Sequence, residues 1–317
     1  MNIVYLGSGQ FGIDSLNALA DSDNKPVLII TAPPHQAGRG RKPRPTPVAQ
    51  WAEENSVSFI ETEDASQPEF VEKIAASKPD LILAIAFEQK ISNEIIALPT
   101  KAAINVHASL LPKYRGAAPI NWAIIKGEKQ TGISIITLAE KMDAGKICRQ
   151  AMTDIEEAET ASLLHDRLAK LAAPLLIETI KKIDDGSVIY TEQDHAKATL
   201  APKLKKSDGL LDFAETAESL ERKIRGFWPW PGAAANYNSK TSQKSERVVL
   251  AMAKTTETTN QATLPPGTLD ENLNVICGKD ALKIIKIKPA GGKLLNFKDF
   301  VNGRQTQPGD FFAKTDK

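Results

Sequence analysis

The sequence predicts two domains: a doubly wound, mainly parallel α/β sheet and, after it, a smaller β-barrel. Up to about residue 185, short apolar runs alternate with segments of helical periodicity, which is typical of βα units around a parallel sheet. Residues 187–207 lose this hydrophobic order and have the composition of a linker. Beyond them, short strand-like runs separated by turn residues indicate a small barrel. We therefore expect domains at 1–186 and 208–317, joined by the linker 187–207.

The first domain is predicted from its apolar runs and one long helix. The run 80–86 is nearly all apolar, as expected for a central strand that is covered on both faces. A helix is predicted over 160–183, where an apolar residue recurs every three to five positions, and Asp185-Gly186 ends it. The predicted strands are 2–6, 26–31, 57–60, 80–86, 102–106, 132–138 and 147–155.

The second domain differs from the first in charge as well as in pattern. A short helix is predicted at 217–227, and the predicted strands are 232–237, 247–252, 274–277 and 282–288. Residues 1–202 carry a formal charge of −5, whereas residues 203–317 carry +6. Clustered Lys and Arg attract phosphates at long range, so this asymmetry points to a polyanionic partner, although ordinary solvated lysines are the alternative.

Composition excludes several classes of protein. The chain has 317 residues, of which 42% are hydrophobic and 25% are charged, as in soluble globular proteins. The apolar cluster 3–6 has no basic flank, and no apolar run approaches the roughly 18 residues of a membrane span, so neither a targeting peptide nor a membrane segment is predicted. Cys148 and Cys277 lie far apart, and the four histidines have no ligand spacing. We expect a cytoplasmic protein without a disulfide framework or a bound metal.

A glycine motif near the N-terminus raises the possibility of a dinucleotide site. Gly7, Gly9 and Gly12 have G-x-G-x-x-G spacing after an apolar strand. The dinucleotide fingerprint also needs an acidic residue at the end of the second strand, where this chain has Thr31 and Ala32. We therefore expect no NAD, and we interpret the glycines as residues that allow a tight turn from strand into helix.

Three polar residues are candidates for catalysis. Asn105 and His107 are two positions apart near the end of a predicted strand, so their side chains share a face at the edge where open α/β sheets bind ligands. Asp143 follows a later strand in an Asp-Ala-Gly turn, from which it could reach His107. Each residue also has a purely structural interpretation. Asn105 could bond to the backbone of the loop, His107 could pack in the core with its hydrogen bonds satisfied, and Asp143 could stabilise its own turn.

A long loop follows these residues and carries a recognisable motif. Its walls are apolar and stiffened by proline, which is unusual for a mere connection. The pattern N-x-H-x-S-L-L-P-x-[aromatic]-R-G, followed by D-x-G, resembles that of the folate-dependent formyltransferases. The resemblance extends over the whole chain, including "AGRG" at 37–40 and "PWPGA" at 229–233. The motif is matched by Asn105, His107, Ser109, Leu110, Leu111, Pro112, Tyr114, Arg115, Gly116, Asp143 and Gly145.

The resemblance implies a Rossmann-like catalytic domain and an OB-like tRNA-binding domain in a monomer. It implies transfer of the formyl group of 10-formyltetrahydrofolate to the free amino group of methionine on charged initiator tRNA, in support of translation initiation. Attack of the amine on the formyl carbon would create an oxyanion, at which Asn105 and a protonated His107 would aim their donors. Asp143 would favour the imidazolium and help to take the amine's proton.

The resemblance also implies where the folate would bind. The pterin would lie against residues 109–112, namely Ser109, Leu110, Leu111 and Pro112, and near Phe87 at the end of the 80–86 strand. Glu88 and Ser92 depart from the common family pattern on this side of the pocket.

Two basic segments are candidates for tRNA contact. The Pro/Gly-rich loop 32–47 carries Arg39, Arg41 and Lys42, and by resemblance it enters the end of the acceptor stem, with Arg39 at the matching arginine. A mobile solvated loop is the alternative. The linker cluster suits phosphate contact and consists of Lys203, Lys205 and Lys206.

Other functions remain open from the sequence. The chain could formylate a sugar amine or hydrolyse formyl-folate, although the basic loop and the basic second domain argue against both. It could also be a nonenzymatic RNA-binding protein, against which the intact set of Asn105, His107 and Asp143 argues.

Overall fold

The computed structural model describes residues 1–37, 42–257 and 264–315 and divides into two compact units. The first unit consists of Met1–Pro119, Gln130–Asp154 and His165–Pro202, and the second consists of Ile120–Lys129, Ile155–Leu164 and Lys203–Lys317. None of the helices within the described ranges combines the length and apolarity that a membrane span needs.

Strands and helices alternate through the first unit, and strands predominate in the second. The strands are β1 Ile3–Leu6, β2 Leu28–Thr31, β3 His35–Ala37, β4 Lys42–Arg44, β5 Phe59–Glu61, β6 Leu81–Ile85, β7 Ala102–His107, β8 Gln130–Thr137, β9 Ile147–Asp154, β10 Ala233–Asn238, β11 Ser245–Thr256, β12 Val275–Ile276, β13 Ala281–Pro289, β14 Leu295–Asn296 and β15 Phe311–Ala313. The helices are α1 Ile13–Ala20, α2 Pro47–Glu54, α3 Pro68–Ala76, α4 Asn93–Ala97, α5 Pro119–Ile125, α6 Ala161–Asp184, α7 Ala217–Gly226 and α8 Phe297–Arg304.

The first unit is built on a seven-stranded sheet in the order β5-β2-β1-β6-β7-β8-β9. Neighbours from β5 to β7 are parallel, whereas β8 and β9 pair antiparallel. β6 lies at the centre and is buried along its whole length, as its apolar sequence predicts. Because residues 138–146 are too few for a helical crossover, β9 can only return antiparallel to β8. The predicted mainly parallel α/β sheet is confirmed, with an antiparallel edge.

The glycines of the N-terminal motif make room for a buried tyrosine. A Cβ on Gly7 would lie 2.7 Å from the Tyr5 ring and 2.4 Å from the Ile85 carbonyl oxygen, and a Cβ on Gly12 would lie 1.9 Å from Tyr5 Oη. The φ angles of Gly9 and Gly12 are −85° and −82°, which any residue adopts. Glycine is therefore required at positions 7 and 12 because a side chain there would collide with Tyr5. The sequence instead predicts that the glycines provide backbone freedom for the turn.

Thr31 occupies the position at which a dinucleotide site has an acidic residue, and its side chain makes structural hydrogen bonds. It is fully buried, and its hydroxyl bonds to Ser8 Oγ at 3.1 Å and to Thr46 Oγ1 at 2.8 Å. Ser8 Oγ also accepts a hydrogen bond from the backbone N–H of Ala32 at 2.8 Å. Short hydroxyl contacts thus tie the glycine turn to the end of β2.

The second unit contains a six-stranded antiparallel sheet in the order β12-β13-β11-β10-β15, with β14 on β13. The predicted β-barrel is confirmed in the form of this nearly closed sheet, whose core includes Leu250, Ile287 and Phe312. β11 extends four residues beyond the predicted strand and contains a register shift between Leu250 and Met252. β14 and β15 were not predicted because two or three residues carry no readable alternation.

The second unit also includes two segments from earlier in the chain. Asn121 donates its side-chain N–H to the Gly226 carbonyl at 2.7 Å, and Arg225 donates to the Glu159 carbonyl at 3.0 Å. Residues 120–129 and 155–164 consequently group with residues 203–317. The compact units are therefore not contiguous in sequence.

Candidate active site

Asn105 and His107 lie on one face of β7, at its carboxyl end. β7 runs between β6 and β8, with Asn105 opposite Ala84 on one side and His107 opposite Ser134 on the other. The alternation of a strand sends both side chains in the same direction. His107 is only 6% exposed, and Asn105 is partly buried.

Both ring nitrogens of His107 face protein atoms. Nε2 lies 2.9 Å from the carbonyl oxygen of Tyr114, and since a carbonyl only accepts, this nitrogen is assigned the proton. Nδ1 lies 3.5 Å from Oδ1 of Asp143. The sequence-based expectation aimed His107 at the substrate oxygen, whereas in this structure its two nitrogens face a backbone carbonyl and a carboxylate. A protonated ring would form an ion pair with Asp143.

Asp143 connects the candidate residues to one another. Its side chain is 10% exposed, its Oδ2 accepts the backbone N–H of Gly116 at 2.8 Å, and its Oδ1 accepts from Asn105 Nδ2 at 3.4 Å. The backbone of Asp143 has a left-handed φ of 53°, which is uncommon for a residue with a side chain. The structure therefore brings together Asn105, His107 and Asp143, the three residues singled out from the sequence.

The tight turn after Asp143 requires glycine at position 145. A Cβ there would lie 1.8 Å from the carbonyl oxygen of Thr137, the last residue of β8. The D-x-G spacing is thus explained by a close approach of the turn to the strand that precedes it. That approach returns the Asp143 carboxylate to the edge of the sheet.

The predicted folate loop is fixed by two polar residues that the sequence did not reveal. Ser134 Oγ donates to the Ser109 carbonyl at 2.6 Å and accepts the Leu111 N–H at 3.0 Å. Gln150 Nε2 donates to the Leu111 carbonyl at 2.9 Å and to Ser134 Oγ at 2.7 Å. These contacts join the loop to β8 and β9. Each is a single polar residue on a strand, with no local signal of its role.

The four predicted folate residues in this loop differ in exposure. Ser109 is fully buried, and its hydroxyl donates to the Lys113 carbonyl at 2.6 Å. Leu111 is 3% exposed, whereas Leu110 and Pro112 are partly exposed. Surface for a ligand is therefore offered by Leu110 and Pro112, while Ser109 and Leu111 hold the loop in shape.

Phe87 lies two residues beyond the end of β6, the strand that pairs with β7. It is partly buried and packs against a core cluster that includes Leu6, Ile82 and Ile95. The nearby Gln89 is tied down, since its Nε2 donates to the Thr62 carbonyl at 2.5 Å. Phe87 therefore presents only part of its ring.

A segment from the predicted linker forms part of the first unit. Residues 191–201, called here the return segment, begin by pairing Thr191 with Ile147 through hydrogen bonds of 2.8 and 2.9 Å. Arg115 donates its backbone N–H to Thr199 at 2.8 Å and accepts the N–H of Ala201 at 2.7 Å. At Gly116, where φ is 120°, a Cβ would lie 2.7 Å from the Ala201 carbonyl. The return segment thus lies directly against the motif loop.

The predicted tRNA-contacting residues are only partly described. Arg39 and Arg41 lie outside the described residues, and Lys42 opens β4, which pairs with β3 as a hairpin. In the second unit, the three lysines of the linker cluster are exposed, namely Lys203, Lys205 and Lys206.

Comparison with known proteins identifies the family. The family model for formyl transferase matches residues 1–180, and that for the formyl transferase C-terminal domain matches residues 203–305. The methionyl-tRNA formyltransferase of Bacillus subtilis is 37% identical, covering 97% of this chain and 96% of its own. That of Citrifermentans bemidjiense is 35% identical, covering 100% of this chain and 98% of its own.

Solved structures share the fold at low sequence identity. The sugar 3N-formyl transferase WlaRD, solved with dTDP and 5-N-formyl-THF, has a TM-score of 0.66 and 15% identity, covering 93% of this chain and 98% of its own. HypX from Aquifex aeolicus, in complex with tetrahydrofolic acid, has a TM-score of 0.60 and 18% identity over 100% of this chain, which spans 51% of that protein. By its domain matches and its full-length relatives, this chain belongs to the formyl transferase family of enzymes.

Proposed function

We propose that this protein transfers the formyl group of 10-formyltetrahydrofolate to the amino group of methionine on charged initiator tRNA, and so supports translation initiation. The convergence of Asn105, His107 and Asp143 at the carboxyl edge of the sheet carries the proposal. The full-length similarity to methionyl-tRNA formyltransferases supports this acceptor. Neighbours of the same fold that were solved with folates support the donor class.

The reaction replaces one carbon–nitrogen bond with another. The neutral amine attacks the formyl carbon, and the carbonyl oxygen becomes an oxyanion in a tetrahedral intermediate. The intermediate collapses by breaking the bond to N10 of the folate, which takes up a proton while the amine loses one. The protein has to stabilise the oxyanion and to move that proton.

Asn105 is the proposed oxyanion donor. One N–H of its amide is directed to Asp143, and an amide nitrogen carries a second N–H that is suited to a substrate oxygen. Removal of one such donor typically costs about 2.7–4 kcal/mol of transition-state stabilisation. Because Asn105 is on a strand and held by a carboxylate, its donor would need little reorganisation during the reaction.

His107 and Asp143 are proposed to act as a pair. A protonated His107 would place a positive charge beside the oxyanion, while Nε2–H remains on the Tyr114 carbonyl. The carboxylate of Asp143, 3.5 Å from Nδ1, would balance that charge and accept the proton that the attacking amine releases. His107 would then stabilise the intermediate through its charge, and Asp143 would serve as the base.

Folate and tRNA would bind beside this pair. We propose that Leu110 and Pro112 contact the pterin together with Phe87, and that Ser109 and Leu111 support their loop. The basic residues proposed to contact tRNA are Arg39, Arg41, Lys42, Lys203, Lys205 and Lys206. We propose a cytoplasmic monomer with a catalytic domain at 1–186, a linker at 187–207 and an OB-like tRNA-binding domain at 208–317. The return segment of that linker completes the catalytic domain.

The test is a formylation assay with three arms. Purified protein is incubated with 10-formyltetrahydrofolate and charged initiator tRNA, with an amino sugar nucleotide, or with no acceptor. We expect formyl-methionine in the first arm only, and we expect its loss in His107→Ala. Formyl transfer to the sugar alone, or release of formate alone, would replace the proposed acceptor, and inactivity in every arm would refute enzyme function.

A further inference from the structure

Gln193, in the return segment, holds the turn that carries Asp143. It is 4% exposed, and its Nε2 donates to two backbone carbonyls, that of Asp143 at 2.8 Å and that of Gly145 at 2.7 Å. Its Oε1 accepts two hydrogen bonds from Arg115, one from Nε at 3.2 Å and one from Nη2 at 2.6 Å. The two N–H groups and the two acceptor positions of this amide are all used.

Arg115 sets the orientation of the Gln193 amide. Arg115 is 5% exposed, and its guanidinium can only donate, so the amide oxygen has to face it and the amide N–H groups have to face the turn. The reverse orientation would set N–H against guanidinium and oxygen against two carbonyls. Arg115 Nη2 also donates to Nδ1 of His195 at 2.9 Å, and this second contact fixes the guanidinium against the return segment.

The turn that Gln193 holds contains a strained residue of the site. Asp143 has a φ of 53°, and a residue with a side chain keeps such a backbone only where its surroundings fix it. Gln193 spans the turn by bonding to the carbonyls on both sides of Ala144. Gln193 also bonds to Arg115, the residue before Gly116. The backbone N–H of Gly116 in turn bonds to the Asp143 carboxylate at 2.8 Å. Both supports of Asp143 therefore converge on one amide.

We propose that Gln193 is a positioning residue for formyl transfer, which acts by fixing the Asp143 carboxylate against His107. This inference rests on the proposed function. Gln193 is set back from the reacting groups by the Asp143 turn, so its loss should lower turnover without weakening the binding of either substrate. Small displacements of a reacting group lower rates by up to about 10²-fold, and we expect kcat to fall about 10- to 100-fold.

The test variant is Gln193→Glu, which keeps the shape and the acceptor for Arg115 but replaces the N–H donors with an oxygen facing two carbonyls. Gln193→Met, which lacks every polar contact, is the second variant. The matched control is Gln67→Glu, the same change on an exposed residue before α3. For each protein, kcat, both KM values, the Kd of unreactive 5-formyltetrahydrofolate and the thermal midpoint are measured.

A lower kcat with KM and Kd within about twofold of wild type, and wild-type values for the control, would support the proposal. Wild-type kcat in either folded variant would overturn it, as would parallel losses of kcat, Kd and thermal midpoint, or failure of both variants to fold. A wild-type protein that formylates no tRNA would instead refute the proposed function. In that case amide exchange at Gly116 tests the structural part of the inference alone: faster exchange in Gln193→Glu would support the role of Gln193 in fixing the Asp143 carboxylate, and unchanged exchange would overturn it.

Discussion

The charge on Asp143 should be the most sensitive property of the site. Asp143→Asn keeps the size and an oxygen for the Gly116 N–H but removes the negative charge 3.5 Å from His107 Nδ1. Unit charges at that separation attract by about 5 kcal/mol at an effective dielectric constant of about 20. The dipole of the new amide retains part of this attraction. We expect a loss of about 3–4 kcal/mol, which is a fall in kcat on the order of 10²- to 10³-fold.

The assay is steady-state formylation of charged initiator tRNA at saturating concentrations of both substrates, which gives kcat. The chain offers a matched control in His165 and Asp166, a second histidine–aspartate pair whose atoms lie 2.9 Å apart with side chains 33% and 68% exposed. Asp166→Asn should leave kcat unchanged because solvent screens that pair. If Asp143→Asn kept a kcat within about fivefold of wild type while remaining folded, the electrostatic pairing of Asp143 with His107 would be refuted.

Five further substitutions address other parts of the molecule. Ser134→Ala should lower the free energy of unfolding in urea by about 1–3 kcal/mol and raise the KM for 10-formyltetrahydrofolate, because it leaves buried partners without a hydrogen bond in loop 109–112, which is proposed to contact the folate; unchanged values of both would contradict this role. Gly12→Ala should lower the thermal midpoint sharply because its Cβ meets Tyr5, while Tyr5→Phe should be neutral or stabilising because Tyr5 Oη is buried without a partner among the described residues. Arg39→Ala should weaken formylation of tRNA far more than folate binding, and equal losses would remove its tRNA role. Burial raises the pKa of Tyr237 to about 12, so the stability it contributes is complete below its ordinary value of 10.0 and is lost as pH rises to about 12; alkaline unfolding of Tyr237→Phe should lack this component.

Long elements and spacings were predictable from local pattern. β6 is recognisable because a central strand is apolar on both faces, and α6 because an apolar stripe repeats along a helix of 24 residues. Two-residue spacing at the end of a strand was enough to place Asn105 and His107 on one face. The hairpin of β3 and β4 was missed because each strand has three residues in a Pro/Gly-rich stretch. A hydrophobic pattern predicts an element only where that element is long enough for the pattern to repeat.

The contacts that fix the site could not be predicted because they join distant parts of the chain. Gln193 and Arg115 are 78 positions apart, and Gln150 reaches Leu111 across 39. Gln193 lies in the predicted linker and Gln150 in a predicted strand, and in neither place does a local pattern distinguish the side chain from a solvated one. The partners of the His107 ring could not be predicted either, because the residue type specifies the chemical group but not the atoms that surround it.

The return segment has a consequence for the order in which the catalytic unit can be completed. A ribosome makes the motif loop about 80 residues before it makes Thr199 and Ala201, which supply the backbone partners of Arg115. Until then, the loop lacks these partners and Gly116 has no neighbour to approach. A truncated chain that stops at residue 186 would therefore contain every residue of the formyltransferase motif and still lack part of the scaffold that shapes it. The chemistry of this protein is encoded early in the chain, and its geometry is completed late.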